Sequence, residues 1–593
     1  MRTAPETTPP PAIDPRSWAA PRPSGLRRRV PILRWLPAYE PRLLRYDVVA
    51  GATLWGLLVP EMIAYAGLAG LPPQAGLYTL LVTLAAYAVF GTGRYVVVAG
   101  TSAGAVLLAS GVASVSPASA TEYTAAAAML VLFCAGLFVL AGLLRLGFIA
   151  RFLSRPVMAG FVFGLAVFVT VKQLPKLFGV APGDGDTVRQ AVHLGAHLGE
   201  TSAATLAVGA GALALLFGAD RLRAHIPGGV LVLVAGIAVS KALDLSAHGV
   251  AIVGSVPAGL PSVGIPSVDA GDLKELLAAA AGMALVIFSE SLGVAEEFAA
   301  RHGDEVDPDQ ELVALGVANA GSALVGGLAA GGSLSQSAVN EAAGARSEVS
   351  PLVATGLSLV TVLVLMPVFT DLPEAVLAAL IIHAVSHLWK TAEFRRYYHR
   401  QRLEFWIGLA TLLGVITLDV LRGILIGVVS MVLLLLFHVS RPRIGVLGRV
   451  PGVPDAYGDL GRHPDYEPVP GVLILRLEAP LFYANAAVVA DRVRALVGAA
   501  EPVPAAVILD GGAIEDLDIT SAEVVDTLVH TLHSAGVDFA LADVREFVLD
   551  TARRVGVLDT IGADHTFHTI DEAVRALAPR AQQEGQRPLR SPR

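Results

Sequence analysis

Between Tyr46 and Ser440 the chain is a succession of long apolar runs separated by short polar breaks. A helix needs about 20 apolar residues to cross the hydrocarbon of a bilayer. Fourteen runs fit or approach that length: 47–68, 74–91, 95–112, 122–144, 156–174, 202–219, 226–243, 273–298, 311–328, 333–345, 348–369, 372–389, 403–419 and 422–440. The third and tenth are the poorest fits, being short and interrupted by Gly, Ser and Thr. An even number of crossings places both termini on one side. Cytoplasmic loops are enriched in Lys and Arg, which tests that arrangement. With the N-terminus inside, the cytoplasmic loops hold Arg145, Arg151 and Arg155; Arg221 and Arg223; Arg301; Arg346; and Lys390, Arg395, Arg396, Arg400 and Arg402. The opposite loops hold Asp184, Asp186, Asp269, Asp371 and Glu374, so the asymmetry agrees with a 46–440 transmembrane unit.

The pattern changes on either side of that block. Residues 1–45 are Pro- and Arg-rich with no apolar core near Met1, which predicts a cytoplasmic, mostly disordered arm rather than a cleaved signal. Residues 441–470 are rich in Pro and Gly and read as a linker. Over 471–580, VLILRLE, AAVILDG and VDFALAD read as buried strands, and NAAVVADRVRALVGAA and SAEVVDTLVHTLHSAG as amphipathic helices. Strands alternating with helices predict a small cytoplasmic α/β domain. Residues 581–593 read as a disordered tail.

Composition narrows the function classes. The 593 residues are 54% hydrophobic and 16% charged, with a mean hydropathy of +0.62. Soluble domains carry about 25% charged residues, so neither an ordinary soluble enzyme nor a disordered chain fits. The chain is predicted to be a polytopic α-helical protein of the inner (plasma) membrane, with lipid as an obligatory neighbour. A net charge of −8 gives no reason to expect a nucleic-acid partner. One cysteine, Cys134, leaves no disulfide framework, thiolate metal site or CxxC motif. His383 and His387 share a helix face at a spacing of four, but nothing in the run completes a zinc site. They are read as packing or interface residues, and no metal, cofactor or enzymatic centre is expected.

Two short, broken crossings in corresponding positions of two halves point to a transporter binding site. The third run, RYVVVAGTSAGAVLLASG, is a β-branched stretch followed by Gly100-Thr101-Ser102 and a helix-friendly segment. The tenth has glycines at 326, 327, 331 and 332, then Ser333-Leu334-Ser335-Gln336 opening a helix. It is the third segment of a second group of seven. A seven-plus-seven inverted repeat therefore sets two half-helices facing one another at the midplane. Each helix N-terminus carries about half a positive charge and several unpaired N–H groups. Two of them aimed at one spot make an anion site needing no Lys or Arg, with the hydroxyls of Thr101, Ser102, Ser333 and Ser335 to orient the ligand. Small residues also serve close helix packing; the matched pair favours the site.

Two carboxylates stand out within the apolar runs. Glu61 follows the helix-breaking Pro60 in LLVPEMIAYAGL, and Glu290 lies in ALVIFSESLGVA. Ionisable groups at membrane depth are costly and usually functional. Glu290 is read as a coupling residue. Glu61 is open between coupling and a hydrogen bond to the backbone freed by Pro60.

The runs PEMIAYAGLAGLPPQAGLYT and GGSLSQSAVNEAAGARS, with the later LEAPLFYANA and ILDGGAIEDLDITSAEVV, resemble the SulP (sulfate permease) family of anion transporters, which carry a cytoplasmic STAS domain. The resemblance covers nearly all of 30–580. It implies a fourteen-segment fold with core and gate domains, elevator-like alternating access, a homodimer, and substrates such as sulfate, bicarbonate or dicarboxylates. The family's first-helix Pro-Gln-x-x-Ala-aromatic pattern falls on Pro60, Glu61, Ala64 and Tyr65, which implies that Tyr65 lines the anion pocket. Glu61 stands where Gln is usual, so an extra acid near the anion must be protonated, paired or turned away. The tenth segment supplies Ser335, but the Arg that many members place next is here Gln336, which favours a monovalent or protonated substrate.

Glu290 matches the family's eighth-helix acid. Sodium-coupled members pair it with a Thr four residues later, and here that position is Val294. A carboxylate without oxygen neighbours is a poor sodium cage, so the resemblance implies proton symport ahead of a sodium-coupled bicarbonate symporter or an anion exchanger. In the STAS part the phosphorylated Ser of soluble relatives is replaced by Ile519, leaving Thr520 and Ser521 to cap the following helix. The expected function is secondary active transport of small oxyanions. An alternative of another class, a membrane anchor for STAS signalling, has no use for costly midplane groups.

Overall fold

A computed structural model of the chain describes residues 29–584, apart from 153, 184–185, 223–227, 255–257, 387, 390 and 419. It divides at Met431 and Val432 into two compact units. In the first, the long helices are α1 (Leu44–Leu68) and α2 (Pro73–Phe90), followed by strand β1 (Val98–Gly100) running into α3 (Ser102–Ala113). Then come α4 (Ala120–Leu143), α5 (Arg155–Phe178), α6 (Thr187–Ala196), α7 (Ala203–Leu222) and α8 (Gly228–Leu243). After these follow α9 (Leu273–His302) and α10 (Pro308–Leu324), then strand β2 (Ala330–Gly332) with α11 (Leu334–Ala342). The series closes with α12 (Val349–Val360), α13 (Glu374–Ser386), α14 (Thr391–Arg400), α15 (Arg402–Thr417) and α16 (Val420–Ser440), whose residues from Val432 onwards belong to the second unit.

Each apolar run read from the sequence overlaps helical structure among the described residues. Among the described residues, nine helical stretches are long and apolar enough to cross a membrane. The third run holds strand β1 and α3, and the tenth is the short α11 with strand β2 just before it; the interruptions marked the half-helices but not the strands. Within 46–440 two helices were not expected. α6 forms where a polar break was read, because Asp186 caps it by accepting from the Arg189 N–H at 2.8 Å. α14 is short and amphipathic, burying only Phe394 and Tyr397.

Close packing uses small residues, as membrane helices require. α5 and α15 cross where a Cβ on Gly160 would stand 2.1 Å from the Gly408 carbonyl oxygen. Buried acids hold the helix ends. Asp47, at the start of α1, accepts from the N–H groups of Arg346 and Ser347 at 2.6 and 3.1 Å and from the Ser347 hydroxyl at 2.8 Å. Glu311, in the first turn of α10, accepts from the Tyr87 hydroxyl at 2.8 Å and the Thr92 N–H at 2.7 Å. His383 pairs with Asp220 at 2.8 Å, and His387 lies outside the described residues.

The expected arm is partly ordered. Residues 1–28 lie outside the description, but Ile32–Trp35 is helical and Trp35 donates its indole N–H to the Ala88 carbonyl at 3.0 Å. Gln310 of α10 also donates its amide to the Arg29 carbonyl at 3.1 Å, so the segment is held at two places.

The second unit is a six-stranded sheet in the order β4-β3-β5-β6-β7-β8. Its strands are β3 (Ile444–Arg449), β4 (Tyr457–Asp459), β5 (Val472–Leu477), β6 (Ala506–Asp510), β7 (Asp538–Ala542) and β8 (Thr566–Phe567). β5 to β8 pair in parallel, while β3 runs antiparallel to β4 and β5. Helices α17 (Ala486–Ala499), α18 (Ile519–Ser534), α19 (Glu546–Val555), α20 (Val557–Ile561) and α21 (Ile570–Glu584) complete it, with an apolar cluster on each face of the sheet.

Residues 441–470 are therefore not a linker. Ile444 pairs with Leu477 and Leu447 with Asp459, so the prolines and glycines punctuate turns between edge strands. The expected tail also starts later, since α21 continues to Glu584; 585–593 lie outside the description. α18 is capped by Asp518 rather than by Thr520 or Ser521. Its carboxylate accepts from the Ser521 N–H at 3.0 Å, the Ser521 hydroxyl at 2.7 Å and the Tyr483 N–H at 2.7 Å. Burial alone would raise the Asp518 pKa, but these bonds outweigh it and hold the group below the ordinary carboxylate range.

Candidate functional site

β1 and β2 pair antiparallel, with Val98 opposite Gly332, Ala99 opposite Gly331 and Gly100 opposite Ala330. Each strand feeds directly into its half-helix, so α3 and α11 start from opposite ends of one short ladder. This is how two segments more than 200 residues apart bring their N-termini into one region. All six strand residues are buried.

Three residues per strand cannot satisfy their own outer edges inside an apolar body, where an unpaired N–H or C=O is expensive. Side chains from the surrounding helices do so. Asn319 of α10, fully buried, donates to the Ala330 carbonyl at 2.9 Å and accepts from the Ala330 N–H at 2.8 Å. It acts as a one-residue strand. Ser291 of α9 accepts from the Gly332 N–H at 2.7 Å, and Ser337 of α11 accepts from the Val97 N–H at 2.9 Å. Thr79 accepts from the Leu328 N–H at 2.7 Å, and Ser322 donates to the Leu328 carbonyl at 2.6 Å. Glycine is needed where α9 presses on β2: a Cβ on Gly331 would stand 2.8 Å from Ile287 Cγ2. None of these polar residues was singled out from the sequence. A lone Asn in the apolar run LVALGVANAGSAL was the signal available.

The expected site residues divide into groups. Thr101 is the N-cap of α3, its buried hydroxyl accepting from the Gly104 N–H at 3.0 Å; that oxygen is committed to the helix. Ser102, the first residue of α3, lies beside the buried Tyr65 hydroxyl. Ser333 sits at the N-cap position of α11 without capping it; its hydroxyl is instead 3.2 Å from that of Ser335. The backbone N–H groups of the first turn of α11 thus have no side-chain cap. Leu334 and Ser335 are exposed.

Glu61 and Gln336 meet. The Gln336 amide donates to Glu61 Oε2 at 2.9 Å and to the Gly100 carbonyl at 3.3 Å. The bridge joins α1, the end of β1 and α11. Gln336 is buried, and its Oε1 has no partner. Glu61 is thereby paired, by a hydrogen bond to a side chain rather than to the backbone freed by Pro60.

Glu290 lies half-buried on α9 and makes no hydrogen bond among the described residues. The hydroxyl of the adjacent Ser291 is committed twice, to the Gly332 N–H and to the Ile287 carbonyl at 2.6 Å. Tyr65 lies close to both Glu61 and Glu290, so the two acids, the tyrosine and the start of α3 share one neighbourhood. No group of three or more His, Cys, Asp or Glu suited to a metal occurs among the described residues.

Comparison with known proteins agrees with this architecture. The model of the sulfate permease family matches residues 44–411, and that of the STAS domain residues 463–573. A "probable sulfate transporter" of Mycobacterium tuberculosis is 34% identical over 545 residues, covering 91% of this chain and 97% of the relative. "Probable sulfate transporter 3.4" of Arabidopsis thaliana is 30% identical, covering 95% of this chain and 89% of the relative. In fold, the chain is similar to the murine Solute Carrier 26 family member A9 anion transporter in its inward-facing state, with a TM-score of 0.86 at 23% identity over 97% of this chain and 100% of the other. The transmembrane domain of the cyanobacterial bicarbonate transporter BicA aligns with a TM-score of 0.58 at 22% identity over 66% of this chain and 98% of that one. The chain is a multi-pass membrane protein of the sulfate permease family, with a STAS domain following its transport unit.

Proposed function

We propose that the chain is a secondary active transporter of small oxyanions, coupled to protons. The antiparallel β1–β2 ladder carries the reading, because it sets the starts of two half-helices at the two ends of one short buried ladder, and the first turn of α11 has no side-chain cap. Helix N-termini hold anions through free N–H groups and the dipole. Ser102, Ser333, Leu334 and Ser335 surround the proposed site, and Tyr65 forms its wall. Gln336 and Glu61 brace α11 against α1 and supply no positive charge. A site built of dipoles and hydroxyls suits a monovalent or protonated oxyanion, so bicarbonate and a monoprotonated dicarboxylate rank ahead of fully ionised sulfate.

Glu290 is the proposed proton carrier. Sodium binding takes several oxygen ligands, and the hydroxyl of the adjacent Ser291 is already spent on the strand edge, while Val294 offers none. Movement of the β1/α3 and β2/α11 pair with α9 and α10 as one body past the other helices would give elevator-like alternating access, with a homodimer as the working assembly and both termini in the cytoplasm.

The test is uptake of labelled sulfate, bicarbonate and fumarate into proteoliposomes, with and without an inward proton gradient. At least one anion is expected to accumulate only with the gradient. Absence of uptake of all three, from protein shown to be folded and present in both orientations, would overturn the transport reading.

A further inference from the structure

A cleft of about 650 Å³ lies on the second unit between β3 and α17. Four arginines line it, Arg441, Arg443, Arg462 and Arg492. Gly445 also lines it, where a Cβ would sit 3.7 Å from Asp459 and 3.8 Å from Glu478. Those two acids do not cancel the four cations. Arg462 takes both, at 3.6 Å from Asp459 and 3.8 Å from Glu478. Arg443 and Arg492 have no acidic partner among the described residues. Arg441 lies over the Phe437 ring of α16, 4.7 Å from its centroid.

The remaining wall is apolar, from Ile444, Val446, Val488 and Leu496. Cationic groups beside an apolar wall fit a ligand that joins an anionic group to a hydrocarbon body. Chain connectivity supplies the place to find one: Arg441 directly follows Ser440, the last residue of the apolar helix α16. Basic residues immediately beyond a membrane helix sit at the level of lipid headgroups, each attracting an anionic surface by about 1 kcal/mol, roughly fivefold in affinity. Arginine also suits phosphate through its paired donors.

We propose that this cleft binds a phosphate-ester anion, with membrane phospholipid as the source that its apolar wall and its place after α16 favour.

The experiment uses the purified full-length chain and headgroup-labelled phosphatidylglycerol. Retention of the lipid is compared for the unaltered protein, the double variant Arg443→Gln/Arg492→Gln, and Arg553→Gln, whose side chain pairs with Asp550 away from the cleft. Phosphatidylcholine and inorganic phosphate form parallel arms. The double variant is expected to lose phosphatidylglycerol at least tenfold more readily, with Arg553→Gln and the phosphatidylcholine arm unchanged. Competition by inorganic phosphate with no lipid difference would keep the phosphate site and overturn lipid as its source. Equal retention of phosphatidylglycerol by all three proteins, with no effect of phosphate, would overturn the proposal.

Discussion

Glu290→Gln is expected to abolish gradient-driven accumulation of the transported anion while leaving exchange of labelled for unlabelled anion in place. Glutamine keeps the size and polarity of the carboxyl but cannot take up a proton. Because Glu290 makes no hydrogen bond among the described residues, the substitution breaks no contact on which the fold depends. A gradient of one pH unit is worth about 1.4 kcal/mol per proton, or roughly tenfold accumulation of a co-transported solute. That ratio is expected to fall to one in the variant. Gradient-driven accumulation by Glu290→Gln equal to that of the unaltered protein would remove Glu290 as the proton carrier.

The second large effect is expected at Asn319, a residue with no proposed contact to substrate. Asn319→Leu leaves the Ala330 N–H and carbonyl without partners in a fully buried setting. Each buried backbone group left unpaired costs about 1–3 kcal/mol, so a loss of about 2–6 kcal/mol is expected. It should be visible as a large fall in thermal stability of the purified protein and as loss of uptake. Stability equal to that of the unaltered protein would show that the β2 edge is satisfied in another way. The contrast between the two substitutions is informative: one is expected to spare the fold and remove coupling, the other to damage both.

Much of this architecture is written in the order of polar and apolar residues. The apolar runs give the helices because a membrane span has to be long and nearly uncharged, and the Gly-Thr-Ser and Gly-Gly-Ser interruptions mark both half-helices. VLILRLE and AAVILDG give β5 and β6, since a buried parallel strand leaves a short unbroken apolar run. Other features leave no local trace. The β1–β2 ladder is three residues long, too short for any alternation to register. The Glu61–Gln336 bridge joins residues 275 positions apart, and each looked like an isolated departure from a family pattern until the structure placed them together. The clasp of Asn319, Ser291 and Ser337 was missed because single small polar residues on membrane helices more often serve packing. β3 and β4 were hidden by the prolines and glycines of their turns, which in composition match a linker.

With so few charged residues in the first unit, the proposed site rests on backbone dipoles rather than on Lys or Arg. The most direct test puts a competing negative charge at each half-helix in turn. Binding of the anion identified by the uptake assay is measured for Ser102→Asp, Ser335→Asp and Ser119→Asp. The last lies at the N-cap of α4, where Ser119 accepts from the Glu122 N–H at 3.2 Å, and aspartate there keeps the cap. A charge a few ångströms from the bound anion in a partly desolvated site opposes it by a few kcal/mol. Ser102→Asp and Ser335→Asp should therefore each weaken binding at least tenfold, with Ser119→Asp unchanged; unaltered affinity in either of the first two would contradict a site shared by both helix ends.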